Sequence, residues 1–371
     1  MTQPNTVEER KQRLRAMLHK AVVLELSTLP PYLTALWSIR PGTNLEAATI
    51  VRSVLMEEML HMTLAANVLS AVGGTVNLGA DAIPAYPLQL DFDAQREGQR
   101  VVDIHLARFS RETVDSFMQI ELPEGFASPT RTATAPNLVV PDFTIGQFYD
   151  DIVEELRVLC DELGPGALFS GQPGHQIAEG YFWKGGGRPI VVTDLTSAHR
   201  AIRVISTQGE GASRSLFDGD KHFFGQPEEV AHYFRLNQIL AGRYYAMTDS
   251  IHGAPSGNAL AVDFGAVFPI KPDCRHTDFA GDARLTGLSE KFNAAYSMML
   301  WQLMEGFGGN PAVFYTATMN GMSGLGELAR TMVQIPIRGD REHRHAAPTF
   351  EWNAACFGLS STGPVASDSI L

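Results

Sequence analysis

The chain has 371 residues, of which 44% are hydrophobic and 19% charged, and this ordinary globular composition excludes a disordered chain. The net charge of −12 argues against a nucleic-acid partner, because phosphate binding depends on clustered Lys and Arg. No apolar stretch reaches the roughly 20 residues of a membrane span, and no secretory signal is visible, so we expect a soluble, cytoplasmic protein without a membrane partner. Three distant cysteines, Cys160, Cys274 and Cys356, predict free thiols.

The first two predicted elements form an antiparallel helical hairpin. A helix from about Val7 to Ile39 is expected to be interrupted and kinked at Pro30 and Pro31, which lack amide donors. After a turn at 40–44, a second helix from about Leu45 to Val72 has one apolar stripe at alternating three- and four-residue spacing. Gly73 and Gly74 are typical of a helix end.

A long insertion follows, in which the helical period is lost from about Thr75 to Phe143. Two short runs, Leu88 to Leu90 and Val101 to Ile104, predict strands, and one short helix is expected near Arg111 to Gln119. A helix from about Ile145 to Leu163 precedes a glycine-rich stretch, and the apolar run Pro189 to Val192 indicates another strand.

Helical spacing then resumes. A third bundle helix is predicted from about Ser197 to Gln208, and a fourth from Pro227, a favoured first helical residue, to beyond Tyr245. Two further helices are expected near Leu288 to Phe307 and Pro311 to Val333. We therefore predict a mainly α-helical four-helix bundle over residues 1–252, with an insertion at about 75–193, and a helical extension over 253–371 packed on it.

The strongest chemical signal is a Glu-x-x-His pattern that occurs twice, at Glu58 and His61 and at Glu229 and His232. Residues three apart on a helix face the same side, so each pair aims a carboxylate and an imidazole at one point, as in di-iron bundles. Such ligands suit iron or manganese. The ordinary interpretation of Glu229 is an acid favoured by the helix dipole in a first turn.

Glu58 is harder to explain without a metal, because a carboxylate on a buried apolar stripe must be paired, protonated or metal-bound. Its neighbour Glu57 could pair with His61 but lies off the stripe. Glu25 lies as far from the hairpin turn as Glu58 does, which predicts the same depth in the bundle. Glu210 suits the third helix by its distance from the connection, although its flanking glycines equally suit a surface helix end. Glu155, on the apolar face of its helix, is the competing candidate.

These residues resemble the ferritin-like family named after iminophenyl-pyruvate dimer synthase, which is related to a domain of violacein and rebeccamycin biosynthesis enzymes. The resemblance covers the segments around Leu24-Glu25-Leu26, Glu57-Glu58-Met59-Leu60-His61, Gln208-Gly209-Glu210-Gly211 and Ala231-His232-Tyr233. It implies a ferritin-like bundle with a two-iron site on the six positions Glu25, Glu58, His61, Glu210, Glu229 and His232. Thr207 departs from the family, which commonly has Glu there, and helical geometry predicts that Thr207 lies on the outer face.

The resemblance implies an oxidoreductase that uses dioxygen or peroxide to oxidise a small amino-acid-derived or natural-product substrate. Two iron ions are the expected cofactors, with manganese as the alternative metal, and a homo-oligomer is compatible with the sequence. The first rival hypothesis is a non-catalytic iron-binding or peroxide-scavenging protein, and the second is a metal-free scaffold. Roughly half of the chain lies outside the four helices, which favours an organic substrate pocket over iron storage.

Overall fold

The computed structural model describes residues 6–90, 102–123, 145–183, 185–210, 216–217 and 230–357, and this part of the chain is mainly helical. The α-helices are α1 (Val7–Ser38), α2 (Leu45–Ala71), α3 (Arg111–Ile120), α4 (Ile145–Leu163), α5 (Pro165–Leu168), α6 (Leu195–Glu210), α7 (His232–Ala241), α8 (Ala283–Phe307), α9 (Pro311–Thr316) and α10 (Met322–Met332). A π-helical segment, Ala317–Gly321, joins α9 to α10. Strands β1 (Leu88–Leu90) and β2 (Val102–Ile104) pair antiparallel, with Leu88 opposite Ile104.

Four of these helices form a closed ring. α1 packs against α2 and α4, and α6 packs against the same two helices from the other side. The predicted four-helix bundle is therefore confirmed, but α4 closes the ring, whereas the short α7 packs outside it on α2, α3 and α6. The predicted helices at α2, α3, α4 and α6 and the strands predicted at β1 and β2 are confirmed to within a few residues.

α1 is continuous through both of its prolines, so the predicted interruption was wrong. Pro31 has no N–H to offer the carbonyl of Ser27 one turn earlier. Tyr86 supplies the missing donor, because its hydroxyl donates to the Ser27 carbonyl at 2.7 Å. The helix is stabilised at its start by a capping box between Thr6 and Glu9.

Gly73 ends α2 as predicted. Its φ of +75° is the left-handed conformation that glycine adopts without strain, and its amide donates to the carbonyl of Ser70 at 3.0 Å. The strand predicted at Pro189 to Val192 was wrong. Side-chain amides satisfy that backbone instead, since Gln176 bonds both polar groups of Val192 and Asn67 donates to the Ile190 carbonyl.

The helix predicted from Pro227 to beyond Tyr245 also needs correction. Val230 pairs with Phe217 in a β-bridge, Ala231 is extended, and α7 begins only at His232. It ends at Ala241, because Gly242 adopts a left-handed φ of +65°. Pro227 and Glu229 lie outside the described residues.

The C-terminal helices α8 and α10 pack against each other and each contacts the α1–α2 hairpin. Trp37 of α1 stacks on Phe350 at 6.2 Å between ring centroids and meets Phe292 of α8 edge-on. These rings belong to one core that extends into the bundle. The boundary at residue 252 stays a prediction. None of the helices in the described ranges is long and apolar enough to cross a membrane.

Candidate metal centre

The long hairpin of α1 and α2 brings Glu25, Glu58 and His61 together inside the ring. All three side chains are buried. Nδ1 of His61 lies 3.6 Å from Glu58 Oε1 and 3.8 Å from Glu25 Oε2. Thr28, one turn after Glu25, donates to Glu58 Oε2 at 3.0 Å. The two carboxylates thus lie at the same level of the hairpin, beside the same imidazole nitrogen.

His232 enters the same space from outside the ring, as the first residue of α7. The extended Ala231 before it is fixed by a bond from its amide to the Leu216 carbonyl. Nδ1 of His232 lies 2.9 Å from Glu58 Oε1, and its ring stacks on that of His61 with centroids 5.3 Å apart. Glu58 therefore lies between two imidazoles that come from different parts of the fold.

Glu121 is a site residue that the sequence analysis missed. It follows the last turn of α3 and is buried, with Oε2 3.5 Å from Nδ1 of His232. Its Oε1 accepts a hydrogen bond from Tyr32 of α1 at 2.7 Å. A usable signal exists, because the apolar stripe of α3 at Val114, Phe117 and Met118 continues with helical spacing to Glu121.

Each imidazole is oriented by a hydrogen bond at Nε2, the outer ring nitrogen, which faces away from the carboxylate cluster. Nε2 of His61 bonds to Oε1 of Gln208 at 2.8 Å, and the Gln208 amide donates in turn to the Gly186 carbonyl. Nε2 of His232 bonds to Oε2 of Glu57 at 2.8 Å. Both Nδ1 atoms therefore face the space between the carboxylates, an arrangement typical of metal-binding histidines.

Glu57 also forms a buried ion pair with Arg235. The guanidinium donates to both carboxylate oxygens, at 3.0 and 2.9 Å. Burial alone would raise the pKa of Glu57, but Arg235 and His232 outweigh it and lower that pKa. Glu57 is thus an ionised partner of His232, and not of His61 as the sequence allowed.

The site concentrates negative charge in a buried space. Burial, followed by the nearby charge of Glu58, raises the pKa of Glu25 well above its ordinary value, and Tyr149 donates a hydrogen bond to Glu25 Oε1. Burial opposes ionisation of Glu58 too, but the adjacent imidazoles of His232 and His61 lower its pKa. Burial alone would lower the pKa of His232, yet Glu121, Glu57 and Glu58 raise it well above the ordinary value. Positive charge is therefore favoured at this point.

The residues fit a bound cation. Ligand atoms of Glu58, His61 and His232 all lie within 4.8 Å of one another. Nδ1 of His232 is buried and makes no hydrogen bond with any described group, although Glu58 Oε1 lies 2.9 Å away. Such an atom is costly unless a proton or a metal ion satisfies it. Glu25, beside His61, and Glu121, beside His232, would each add a carboxylate ligand to one of two adjacent metal positions.

The remaining sequence candidates have different surroundings. The backbone of Glu210 ends α6, but its side chain and all of Glu229 lie outside the described residues. Thr207 is half-buried, and its hydroxyl donates to the carbonyl of Arg203 in its own helix. Glu155 forms an ion pair with Arg10 at 3.3 Å. Arg10 precedes Glu25 by about 22 Å along α1, at roughly 1.5 Å per residue, so Glu155 is not a member of the cluster.

Buried carboxylates and imidazoles inside a helical ring define a ferritin-like class of protein, and comparison with known proteins agrees. The sequence model of the Ferritin-like family matches residues 18–241, and the chain belongs to this family. A ferritin-like protein from Caulobacter vibrioides has a similar fold, with a TM-score of 0.54 and 22% identity over 92% of this chain and 98% of that one.

Two enzymes are similar in sequence. Dichlorochromopyrrolate synthase of Lentzea aerocolonigenes is 27% identical over 80% of this chain and 29% of its own length. The 2-imino-3-(indol-3-yl)propanoate dimerase of Chromobacterium violaceum is 25% identical over 82% of this chain and 30% of its own length. These relatives confirm the resemblance seen in the motifs. The chain spans less than a third of the length of either enzyme.

Proposed function

We propose that this protein is a ferritin-like oxidoreductase that binds two metal ions, iron or manganese, and oxidises a small organic substrate. The proposed ligands are Glu25, Glu58, His61, Glu121 and His232. The observation that carries the proposal is the unsatisfied Nδ1 of His232, buried against Glu58 and facing the Nδ1 side of His61. Glu210 and Glu229 stay predicted ligands.

The donor set supports iron or manganese over zinc. Three carboxylates and two imidazoles are hard to intermediate ligands, and no cysteine lies among them. Metal ions held in this way would supply redox chemistry with dioxygen or peroxide. Glu58 is placed to contact both positions, whereas Glu25 and Glu121 each flank one imidazole.

The surrounding side chains hold these ligands and exclude water. Gln208 and Glu57 fix the two imidazole rings, and Tyr149 and Tyr32 each donate a hydrogen bond to one flanking carboxylate. All four of these side chains are buried, so their hydrogen bonds are not exchanged with solvent. Tyr149 holds its phenolic proton at Glu25, because burial raises the pKa of that phenol well above 10.

The names of the two similar enzymes suggest where to look for a substrate. One acts as a dimerase on a 2-imino carboxylic acid and the other is a synthase. We therefore propose amino-acid-derived 2-imino acids as the first substrate class to test. The rival hypothesis, a non-catalytic iron-binding or peroxide-scavenging protein, requires the same metals but no organic substrate.

One experiment separates these functions. The protein is loaded anaerobically with Fe(II), its metal content per chain is measured by elemental analysis, and oxygen uptake is then followed with and without imino acids generated from tryptophan or phenylalanine. We expect about two metal ions per chain and substrate-dependent oxygen uptake, both lost in Glu58→Ala. A folded wild-type protein that binds no metal would refute the proposal. Metal binding with substrate-independent oxygen uptake would instead establish the rival function.

A further inference from the structure

A cavity of about 530 Å³ lies beside the metal centre but does not include it. It is bounded by the last turns of α1, the first half of α2, the residues Phe182, Trp183 and Gly185, and the segment from Thr318 to Arg330. None of the five proposed ligands that the structure describes lines it. On α2, the lining residues Arg52, Met56 and Met59 point roughly 100° to 160° away from Glu58, at about 100° per residue. Most of the α2 residues that line the cavity therefore face away from Glu58, although the lining residue Leu55 lies only about 60° from it.

The walls of this cavity are apolar and adaptable. Four methionines line it, Met56, Met59, Met319 and Met322, together with Trp37 and Trp183. Thioether side chains fit irregular apolar molecules because they are flexible and polarisable. The volume lies in the range of roughly 300–1,000 Å³ that is typical of small-molecule sites.

Two of the seven exposed large apolar side chains in the described residues belong to this cavity. Leu45 is 68% exposed and Trp183 is 44% exposed, and both line the cavity. Large apolar side chains that remain in contact with water on a soluble surface often mark a ligand or partner site.

The charged groups of the cavity are all positive. Arg40, Arg52 and Arg330 line it, and none of them forms an ion pair with a carboxylate in the described ranges. Arg40 lies over the ring of Phe268, with its guanidinium carbon 4.6 Å from the ring centroid. Three such guanidinium groups stand out in a chain with 41 acidic and 29 basic residues. Their charge complements an anionic group, and arginine suits carboxylates in particular.

Two backbone features shape the cavity wall. Thr318 and Met319 belong to the π-helical segment, a conformation that is often found at functional sites. Opposite them, the chain after Trp183 is pressed against α2. A Cβ at Gly186 would lie 2.7 Å from the backbone nitrogen of Glu57, and Gly186 has a φ of +74°. Only glycine allows this close approach of the Gly186 backbone to α2.

We propose that this cavity binds an organic acid with an apolar body, whose acidic group is held by Arg52 and Arg330 and whose body lies among the methionines. The proposal does not depend on the function of the metal centre. The acid can be a molecule that the metal centre consumes or releases, or an unrelated effector, and both share this chemistry.

The test measures decanoate binding to the full chain by isothermal titration calorimetry, with decan-1-ol as the uncharged match. We expect one decanoate per chain and binding of decan-1-ol that is weaker by about tenfold or more, because the alcohol lacks the charged hydrogen-bond acceptor. The double variant Arg52→Gln, Arg330→Gln should weaken decanoate binding by about tenfold or more for the same reason. Met59→Trp, which fills the cavity, should abolish it.

Controls separate this cavity from the surface and from the metal centre. Arg203→Gln, on an exposed position of α6, should leave decanoate affinity unchanged. Glu58→Ala should retain decanoate binding, and competition by decanoate for substrate turnover in the wild type would identify the acid as substrate or product, whereas its absence would identify an effector. Circular dichroism is used to check that each variant is folded.

Three outcomes would overturn the proposal: folded wild-type protein that binds no decanoate, binding that neither cavity variant alters, or binding that disappears in Glu58→Ala. Metal content is measured on the same samples, so that a failure of the cavity proposal can be distinguished from a failure of the proposed oxidoreductase function. Protein that binds decanoate but no metal refutes only the oxidoreductase, and protein that binds metal but no decanoate refutes only the cavity site.

Discussion

The metal centre has two halves, one around His61 and one around His232. Each half presents Nδ1 of a histidine, but the two histidines are held by different parts of the fold. His61 lies in the middle of the 27-residue helix α2, and its outer nitrogen bonds the neutral amide of Gln208. His232 is the first residue of the ten-residue helix α7, and its outer nitrogen bonds the ionised Glu57, which Arg235 holds. A carboxylate partner makes an imidazole a stronger donor than an amide partner does. The halves are therefore expected to differ in metal affinity and in their tolerance of mutation.

The largest effect is expected where the two halves meet. Glu58 contacts both imidazoles, so Glu58→Ala should weaken metal binding at both positions by more than about 100-fold, beyond the loss typical of an orienting residue. Equilibrium dialysis with Mn(II) measures this. Glu155→Ala is the matched control, because its carboxylate pairs with Arg10 and should change nothing at the site. Metal loss in Glu155→Ala with retention in Glu58→Ala would reverse the assignment.

The next prediction compares the two orienting residues. Glu57→Gln removes the carboxylate charge that pairs with the buried Arg235, and breaking such a pair typically costs about 3–5 kcal/mol of folding stability. Gln208→Ala removes neutral hydrogen bonds, each with a net contribution of about 1 kcal/mol. Both variants should weaken metal binding by about 10- to 100-fold, Glu57→Gln at one position and Gln208→Ala at the other.

Urea denaturation and stepwise Mn(II) titration measure these two effects. Equal stability losses in the two variants would show that the Glu57–Arg235 pair is not what distinguishes the halves. If each variant weakened both metal positions equally, the site would behave as one unit and the comparison of halves would fail.

The same contrast explains what the sequence could predict. Glu58 and His61 lie on one stripe of a long helix, and Glu25 lies opposite them in a hairpin whose turn is evident, so local periodicity is enough to place them. His232 was a candidate from a helical Glu-x-x-His pattern, but it is held by an extended segment and a β-bridge. Helical spacing does not predict a histidine that is held in this way.

Glu121 shows the limit more clearly. It follows the end of a short helix, and the contact that fixes it, from Tyr32, joins residues 89 positions apart. The apolar stripe of α3 indicates that Glu121 is buried, but neither its contact with Tyr32 nor the bond of Tyr149 to Glu25 has a local signal in the sequence. The closing of the ring by α4 instead of α7 is likewise set by packing between distant segments, whereas the predicted helices themselves depend on local pattern.

Protons should compete with metal ions in both halves of the site, at His232 in one and at Glu25 in the other. Without metal, the raised pKa values of His232 and Glu25 make these groups keep their protons to higher pH than such groups ordinarily do. A metal ion must displace them, so metal binding should release protons and tighten as pH rises, by up to about tenfold per pH unit for each proton released. Calorimetric Mn(II) titrations in buffers of different ionisation enthalpy count the protons. Affinity that is independent of pH between 6 and about 8 would contradict protonation of the metal-free site.

The smallest effect is expected at the two tyrosines that flank the site, one beside each half. Tyr149→Phe removes the hydrogen bond to Glu25, and Tyr32→Phe removes the one to Glu121. Each variant keeps the aromatic ring and its packing, so only a bond to a carboxylate is lost, typically about 1.5–3 kcal/mol when the acceptor is charged and less when it is protonated. Because the pKa of Glu25 is raised, Tyr149→Phe should cost less stability in the metal-free protein than in the metal-bound protein, where Glu25 is ionised. Thermal unfolding of both variants with and without Mn(II) measures this difference. A cost for Tyr149→Phe that is the same in both states would mean that Glu25 does not change its charge when metal binds, and would remove it from the ligand set.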